Sequence, residues 1–156
     1  MPLEKDTLLV VDDNAALREG LKDSLTFEGF EVHLVEKETA LPAERTLVAS
    51  VFHNRLKKNM KLDCDPTVRY ATRKFTGRIG YRDLAYNSPF NTYLYRGLPP
   101  TPICSPGLAT IEAALQPAES DYLYFVSRND GSHIFSETYA QHLKGVQQFQ
   151  KSRSKK

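Results

Sequence analysis

The acids arranged for chemistry are Glu36 and Glu38, in Val35-Glu36-Lys37-Glu38-Thr39. A carboxyl group kept protonated near neutral pH can give a proton to a leaving oxygen and later take one back. An apolar or partly desolvated setting is what holds it protonated. Glu36 has Leu34 and Val35 immediately upstream, and Glu38 is its rival. On a helix a two-residue step turns by about 200°, so the two acids would not share a site. On a strand they would share a face. Taken alone, the pentapeptide reads equally as two solvated acids flanking Lys37. The other ionisable groups point to structure. Arg55 has Asp65 or Glu44 as a pairing partner, and His133 reads as a satisfied, partly buried residue. His33, His53 and His142 show no ligand spacing, and Cys64 and Cys104 form no Cys-x-x-Cys pair. Neither a metal nor a cofactor is implied.

The elements that would position these groups follow from periodicity. Thr7 to Val11 is a β-branched apolar run that ends in Asp12-Asp13-Asn14, the pattern of a buried strand. Residues 15–25 carry apolar positions at helical spacing, and Gly29 fits a helix stop. Phe30 to Val35 alternates as a second strand, so 7–35 reads as a strand–helix–strand unit. Pro42 to Arg45 opens a helix whose apolar face is Leu47, Val48, Val51, Phe52 and Leu56. Glu44 there favours the positive helix end. Met60 to Asp65 alternates as a strand or extended arm. Asp65-Pro66 reads as a turn, and 67–71 as helix or strand. Residues 73–90 read as a loop with a short helix near Arg82-Asp83-Leu84. The proline-rich 97–107 stretch is a stiff loop that would either wall a cleft or cover a sheet edge. A helix over 109–115, a hairpin of Asp121–Val126 and His133–Phe135 around Asn129-Asp130-Gly131, and a closing helix over 139–149 complete the chain.

Composition bounds the function. The 156 residues are 40% hydrophobic and 26% charged, ordinary for a folded domain. A net charge of +2 gives no electrostatic footprint for nucleic acid. The basic run Lys151 to Lys156 reads as a frayed tail. No apolar run reaches membrane-spanning length, and the start carries acids where a secretory leader would carry bases. On that reading the chain stays in the cytoplasm, where it is made.

Two resemblances add to this reading. Residues 7–35, through Leu8-Leu9-Val10-Val11-Asp12-Asp13-Asn14 and Glu28-Gly29-Phe30-Glu31-Val32, resemble the opening of a response-regulator receiver domain. In that family the acidic pair holds magnesium beside a phosphoacceptor. No later receiver segments follow, and Asp12 and Asp13 read better as strand-end acids capping a helix.

Residues 35–149 resemble the catalytic domain of the endolytic murein transglycosylases, the YceG-like family. The resemblance is carried by Val35-Glu36-Lys37-Glu38-Thr39, Ala49 to Leu56, Asp65-Pro66-Thr67-Val68, Asn91-Thr92-Tyr93, Gly97 to Ile103, Tyr122 to Val126 and Gly131 to Phe135. It implies an enzyme of the cell envelope, at the periplasmic face of the inner membrane. Such an enzyme cleaves the MurNAc–GlcNAc bond within peptidoglycan strands and leaves a 1,6-anhydro end. The sugar's own 6-hydroxyl is the nucleophile, so one carboxyl group suffices where hydrolases use two. The resemblance assigns that role to Glu36. Asn54, Asp65, Thr67, Asn91, Thr92 and Tyr93 become candidates to line a glycan groove, with Asn91 for hydroxyl hydrogen bonds and Tyr93 for stacking. Each reads equally as a cap or packing residue. The family's membrane anchor and small peptidoglycan-binding subdomain have no counterpart in this sequence.

The expected architecture is α+β: a small antiparallel, hairpin-containing sheet with flanking helices, preceded by the strand–helix–strand fragment. The expected segments are a receiver-like piece (1–35), a truncated catalytic domain (36–150) and a basic tail (151–156). The expected partner is the peptidoglycan glycan strand. The alternative is a non-catalytic signalling or assembly module, or an inactive fusion carrying the receiver fragment.

Overall fold

The computed structural model describes residues 7–12, 31–36, 42–104 and 106–150, the first two stretches as backbone only. Strands β1 (Thr7–Asp12) and β2 (Glu31–Glu36) pair in parallel, with Asp12 opposite Glu36. Residues 31–36 are thus strand, within the alternating stretch that the sequence suggested. The helix expected over 15–25, Asp13, Glu38 and the 151–156 tail lie outside the described residues.

A short 3-10 turn (Pro42–Glu44) leads into α1 (Arg45–Lys57). Helix α1 buries Val48, Val51 and Phe52, the apolar stripe expected from the sequence, and ends as Asn59 takes a left-handed φ of 52°. Residues 60–64 run without regular structure. Helix α2 (Asp65–Thr72) begins where the sequence suggested a turn. Proline is tolerated in a helix's first turn because its missing N–H has no partner there. The short α3 (Tyr81–Leu84) interrupts the following loop, and α4 (Leu108–Leu115) stops before Pro117.

Strands β3 (Tyr124–Ser127) and β4 (His133–Ser136) form the antiparallel hairpin, with Phe125 opposite Phe135. The first strand begins three residues later than its aromatic run suggests. Helix α5 (Tyr139–Phe149) closes the described chain and packs on both hairpin strands. The architecture is α+β, as expected.

The core joins Val48 and Phe52 of α1 to Leu62 and Cys64, with Leu98, Phe125 and Phe135 packed against them. Leu98 belongs to the proline-rich loop, which therefore serves as a core cover. Strand β1 packs against α4 and α1, and β2 against α2. The parallel pair thus covers its sheet with helices from later in the chain.

Candidate active site

Two hydrogen-bonded layers support the site. In the buried layer, Thr67 and Thr92 are 0% and 2% exposed, with hydroxyls 2.9 Å apart. The Thr67 hydroxyl donates to the Cys64 carbonyl at 2.7 Å, and the Cys64 N–H donates to the Thr92 hydroxyl at 3.0 Å. Asn91, also fully buried, donates from Nδ2 to the Leu84 and Tyr86 carbonyls and accepts from the Tyr93 N–H. These three candidates tie α2 to the 84–93 loop from inside.

The outer layer is Asp65 and Tyr93. The Tyr93 hydroxyl donates to Asp65 Oδ1 at 2.7 Å. Burial, and then the adjacent Asp65 carboxylate, push the phenol far above its ordinary pKa, so it remains a donor. Both residues line a groove of about 740 Å³ between α1 and α2 on one side and the hairpin and α5 on the other.

Asn54 has a different place. Its Nδ2 donates to the Ser120 carbonyl at 2.6 Å and the Tyr122 carbonyl at 3.1 Å, which pins the strand approaching the hairpin onto α1. Its amide N–H groups are spent on backbone, and it does not line the groove.

Arg55 lies on the groove floor and is only 8% exposed. It pairs with Asp63 at 3.1 Å, not with Asp65 or Glu44 as the sequence suggested. Its guanidinium also donates to the carbonyls of Leu123, Lys61 and Leu62, and its central carbon sits 4.9 Å from the Tyr124 ring centroid. Asp63 is reached because a left-handed φ of 49° folds its segment back toward α1. Glu44 is engaged elsewhere. Its carboxylate makes no cap hydrogen bond, but binds the His133 ring at 2.9 Å and accepts from the His133 N–H at 3.2 Å. His133 is accordingly a satisfied core residue, as expected.

The aromatic wall escaped the sequence reading. Tyr124, Tyr139 and His142 line the groove from the hairpin and α5. The available signal was Tyr139 and His142 at i, i+3 on one helix face, beside a strand already known to be aromatic. Among the described residues no cluster of three or more His, Cys, Asp or Glu is placed to hold a metal ion. No helix among them is long and apolar enough to cross a membrane.

The YceG-like family matches residues 33–148. The chain belongs to the YceG-like family. The match contains Glu36, the 3-10 turn, α1 to α4, the hairpin and all of α5 but Phe149, and leaves most of the receiver-like 7–35 stretch outside.

This YceG-like chain is 45% identical over 123 residues to an endolytic murein transglycosylase of Bacillus subtilis (strain 168), covering 79% of this chain and 34% of that protein. It is 36% identical over 119 residues to an endolytic murein transglycosylase of Streptococcus pneumoniae, covering 72% of this chain and 22% of that one. A crystal structure of a yceG-like protein from Listeria monocytogenes matches with a TM-score of 0.63 at 48% identity, over 65% of this chain and 33% of that chain. The YceG-like chain thus spans about a third or less of the length of these relatives.

Proposed function

We propose that residues 36–150 form a peptidoglycan lytic transglycosylase domain acting within glycan strands. The observation that carries this reading is the groove in which Asp65 and Tyr93 meet, in a YceG-like chain whose relatives are named endolytic murein transglycosylases. In this reading Glu36 protonates the oxygen leaving the MurNAc anomeric carbon. The sugar's 6-hydroxyl attacks that carbon, and its proton passes to the Glu36 carboxylate. The product is a 1,6-anhydro end, no water is consumed, and the carboxyl group is restored. Glu36 ends β2, the strand packed on α2, and α2 begins with Asp65 in the groove. Asp65 offers an acceptor, and Tyr93 a ring and, its proton being spent on Asp65, a hydroxyl oxygen that accepts from sugar hydroxyls, while Asn54, Thr67, Asn91 and Thr92 hold the frame that presents them. The site of action is the peptidoglycan of the cell envelope.

The test is digestion of purified sacculi with mass spectrometry of the products. The chain is expected to release 1,6-anhydro-muropeptides, Glu36→Gln to release none, and Glu38→Gln to retain activity. Undiminished release by Glu36→Gln would remove Glu36 from the mechanism.

A second reading takes 1–35 as a receiver-like unit; it is supported only by the parallel pairing of β1 with β2 and by Asp12 as the last residue of β1. That unit would serve signalling or assembly. Labelling of Asp12 or Asp13 by acetyl phosphate with magnesium would favour it; an unlabelled chain would count against it.

A further inference from the structure

The aromatic wall of the groove has no part in the catalytic steps. Tyr139 is the first residue of α5 and is 58% exposed at the groove. Behind it lie Tyr124, with ring centroids 5.7 Å apart, and His142, at 6.2 Å. Tyr124 and His142 stack on each other at 5.3 Å with planes 26° apart. The exposed ring is held from two directions. Thr138 caps α5, its hydroxyl accepting from the Gln141 N–H at 3.3 Å while the Gln141 side chain accepts from the Thr138 N–H at 3.1 Å. The two rings behind it fix its tilt. A large aromatic surface kept rigid and open at a groove costs little further ordering when a ligand covers it.

The chemistry of the wall selects the ligand. The Nδ1 of His142 is buried without a hydrogen-bond partner among the described residues. An imidazolium there would bury an N–H with no acceptor, so the ring is held neutral. Burial, and then the charge on Arg55, lower its pKa in the same sense. Three uncharged rings facing the Asp65–Tyr93 pair suit a ligand with one apolar face and hydroxyls at its edge. A pyranose ring has that form: its C–H face stacks on an aromatic ring, and its hydroxyls reach polar groups.

We propose that Tyr139, backed by Tyr124 and His142, is a stacking platform for an N-acetylhexosamine ring of the glycan held in this groove. The proposal rests on the glycan reading above.

The chain contains no tryptophan, so Tyr139→Trp installs a single fluorescent reporter on the platform. The probe is chitotetraose, the soluble tetramer of N-acetylglucosamine, titrated into the full chain carrying Glu36→Gln so that nothing is consumed. In calorimetry, Tyr139→Ala is expected to weaken binding by about tenfold. Tyr139→Trp is expected to bind at least as well as the parent and to shift its emission on titration. Three results would each overturn the platform: no binding by the parent, Tyr139→Ala binding within about twofold of the parent, or a Tyr139→Trp emission that ignores saturating sugar.

Sacculus digestion separates this proposal from the catalytic one. Product release by the chain with Glu36 intact, with an unchanged KM when Tyr139→Ala is added, sinks the platform and leaves the enzyme. Tyr139-dependent sugar binding without product release sinks the catalysis and leaves the platform.

Discussion

The hydroxyls of Thr67 and Thr92 share one buried hydrogen bond at 2.9 Å, and it has a fixed direction. Thr67 spends its only proton on the Cys64 carbonyl, so Thr92 must donate to Thr67. This bond joins α2 to the 91–93 turn. Asp65 lies two residues before Thr67, and Tyr93 directly follows Thr92, so the same bond brings the two groove residues within 2.7 Å of each other. Thr67→Val or Thr92→Val is expected to cost about 1–3 kcal/mol by stranding buried polar groups. The double variant should cost less than the sum, because part of each loss is the same bond. Thermal unfolding of the parent and three variants measures this, and strictly additive losses would reject the coupling.

Glu44 and His133 join the start of α1 to β4 across a sequence separation that no local signal spans. Glu44→Ala leaves the His133 N–H and ring nitrogen without their acceptor, with the His133 side chain fully buried. The expected loss is about 1–3 kcal/mol. Glu44→Gln keeps a carbonyl acceptor and should recover part of it. Denaturant midpoints of both variants test the pair, and equal losses would show that acceptor geometry is not what matters.

Helix α5 packs on β3 at Gly145, where an added Cβ would stand 2.8 Å from Val126 Cγ1. Gly145→Ala gains about 1 kcal/mol of helix propensity. Overpacking costs typically 1–3 kcal/mol, so the net expectation is a small loss. Val126→Ala in the same chain should turn that loss into a gain relative to Val126→Ala alone. A double-mutant cycle by chemical denaturation reads the sign directly. If Gly145→Ala is stabilising in the parent, helix propensity has outweighed the clash.

Stability should fall at both ends of the pH scale. The folded pKa of Tyr93 is raised by burial and by Asp65. Its contribution is therefore present below the unfolded value near 10 and is lost as pH rises beyond it. Tyr93→Phe should flatten the alkaline limb. His53 and His142 have lowered folded pKa values, burial being the larger cause in both. Their contribution is present above about 6.5 and is lost as pH falls below it. His142→Phe, which preserves the stack, should reduce the loss between pH 7 and 5. Urea midpoints across pH decide both, and an unchanged slope in either variant contradicts the assignment.

Much of the fold was legible because it is written in short-range pattern. The α1 stripe, the hairpin turn at Asn129-Asp130-Gly131 and the closing helix over 139–149 each follow from local spacing and turn chemistry. The errors arose where local rules compete. Asp65-Pro66 satisfies both a turn and a helix's first turn, and packing of α2 on the 84–93 loop selects the helix. The lining of the candidate groove was partly legible. Asp65 and Tyr93 were among the candidates and do meet at the groove. Thr67, Asn91 and Thr92 proved to be its buried frame, because their polar groups find backbone and hydroxyl partners inside.

The sequence by itself determined the family, most of the described elements and the pool of polar residues from which the candidate site is drawn. Tertiary structure alone decided which polar group meets which: Arg55 with Asp63, Glu44 with His133, and Tyr139 with Tyr124 and His142 at the groove. The physical reason is range. Helix and strand signals are carried by neighbours a few residues apart, whereas a hydrogen bond across the fold depends on how two distant elements pack and leaves no periodic trace in the chain.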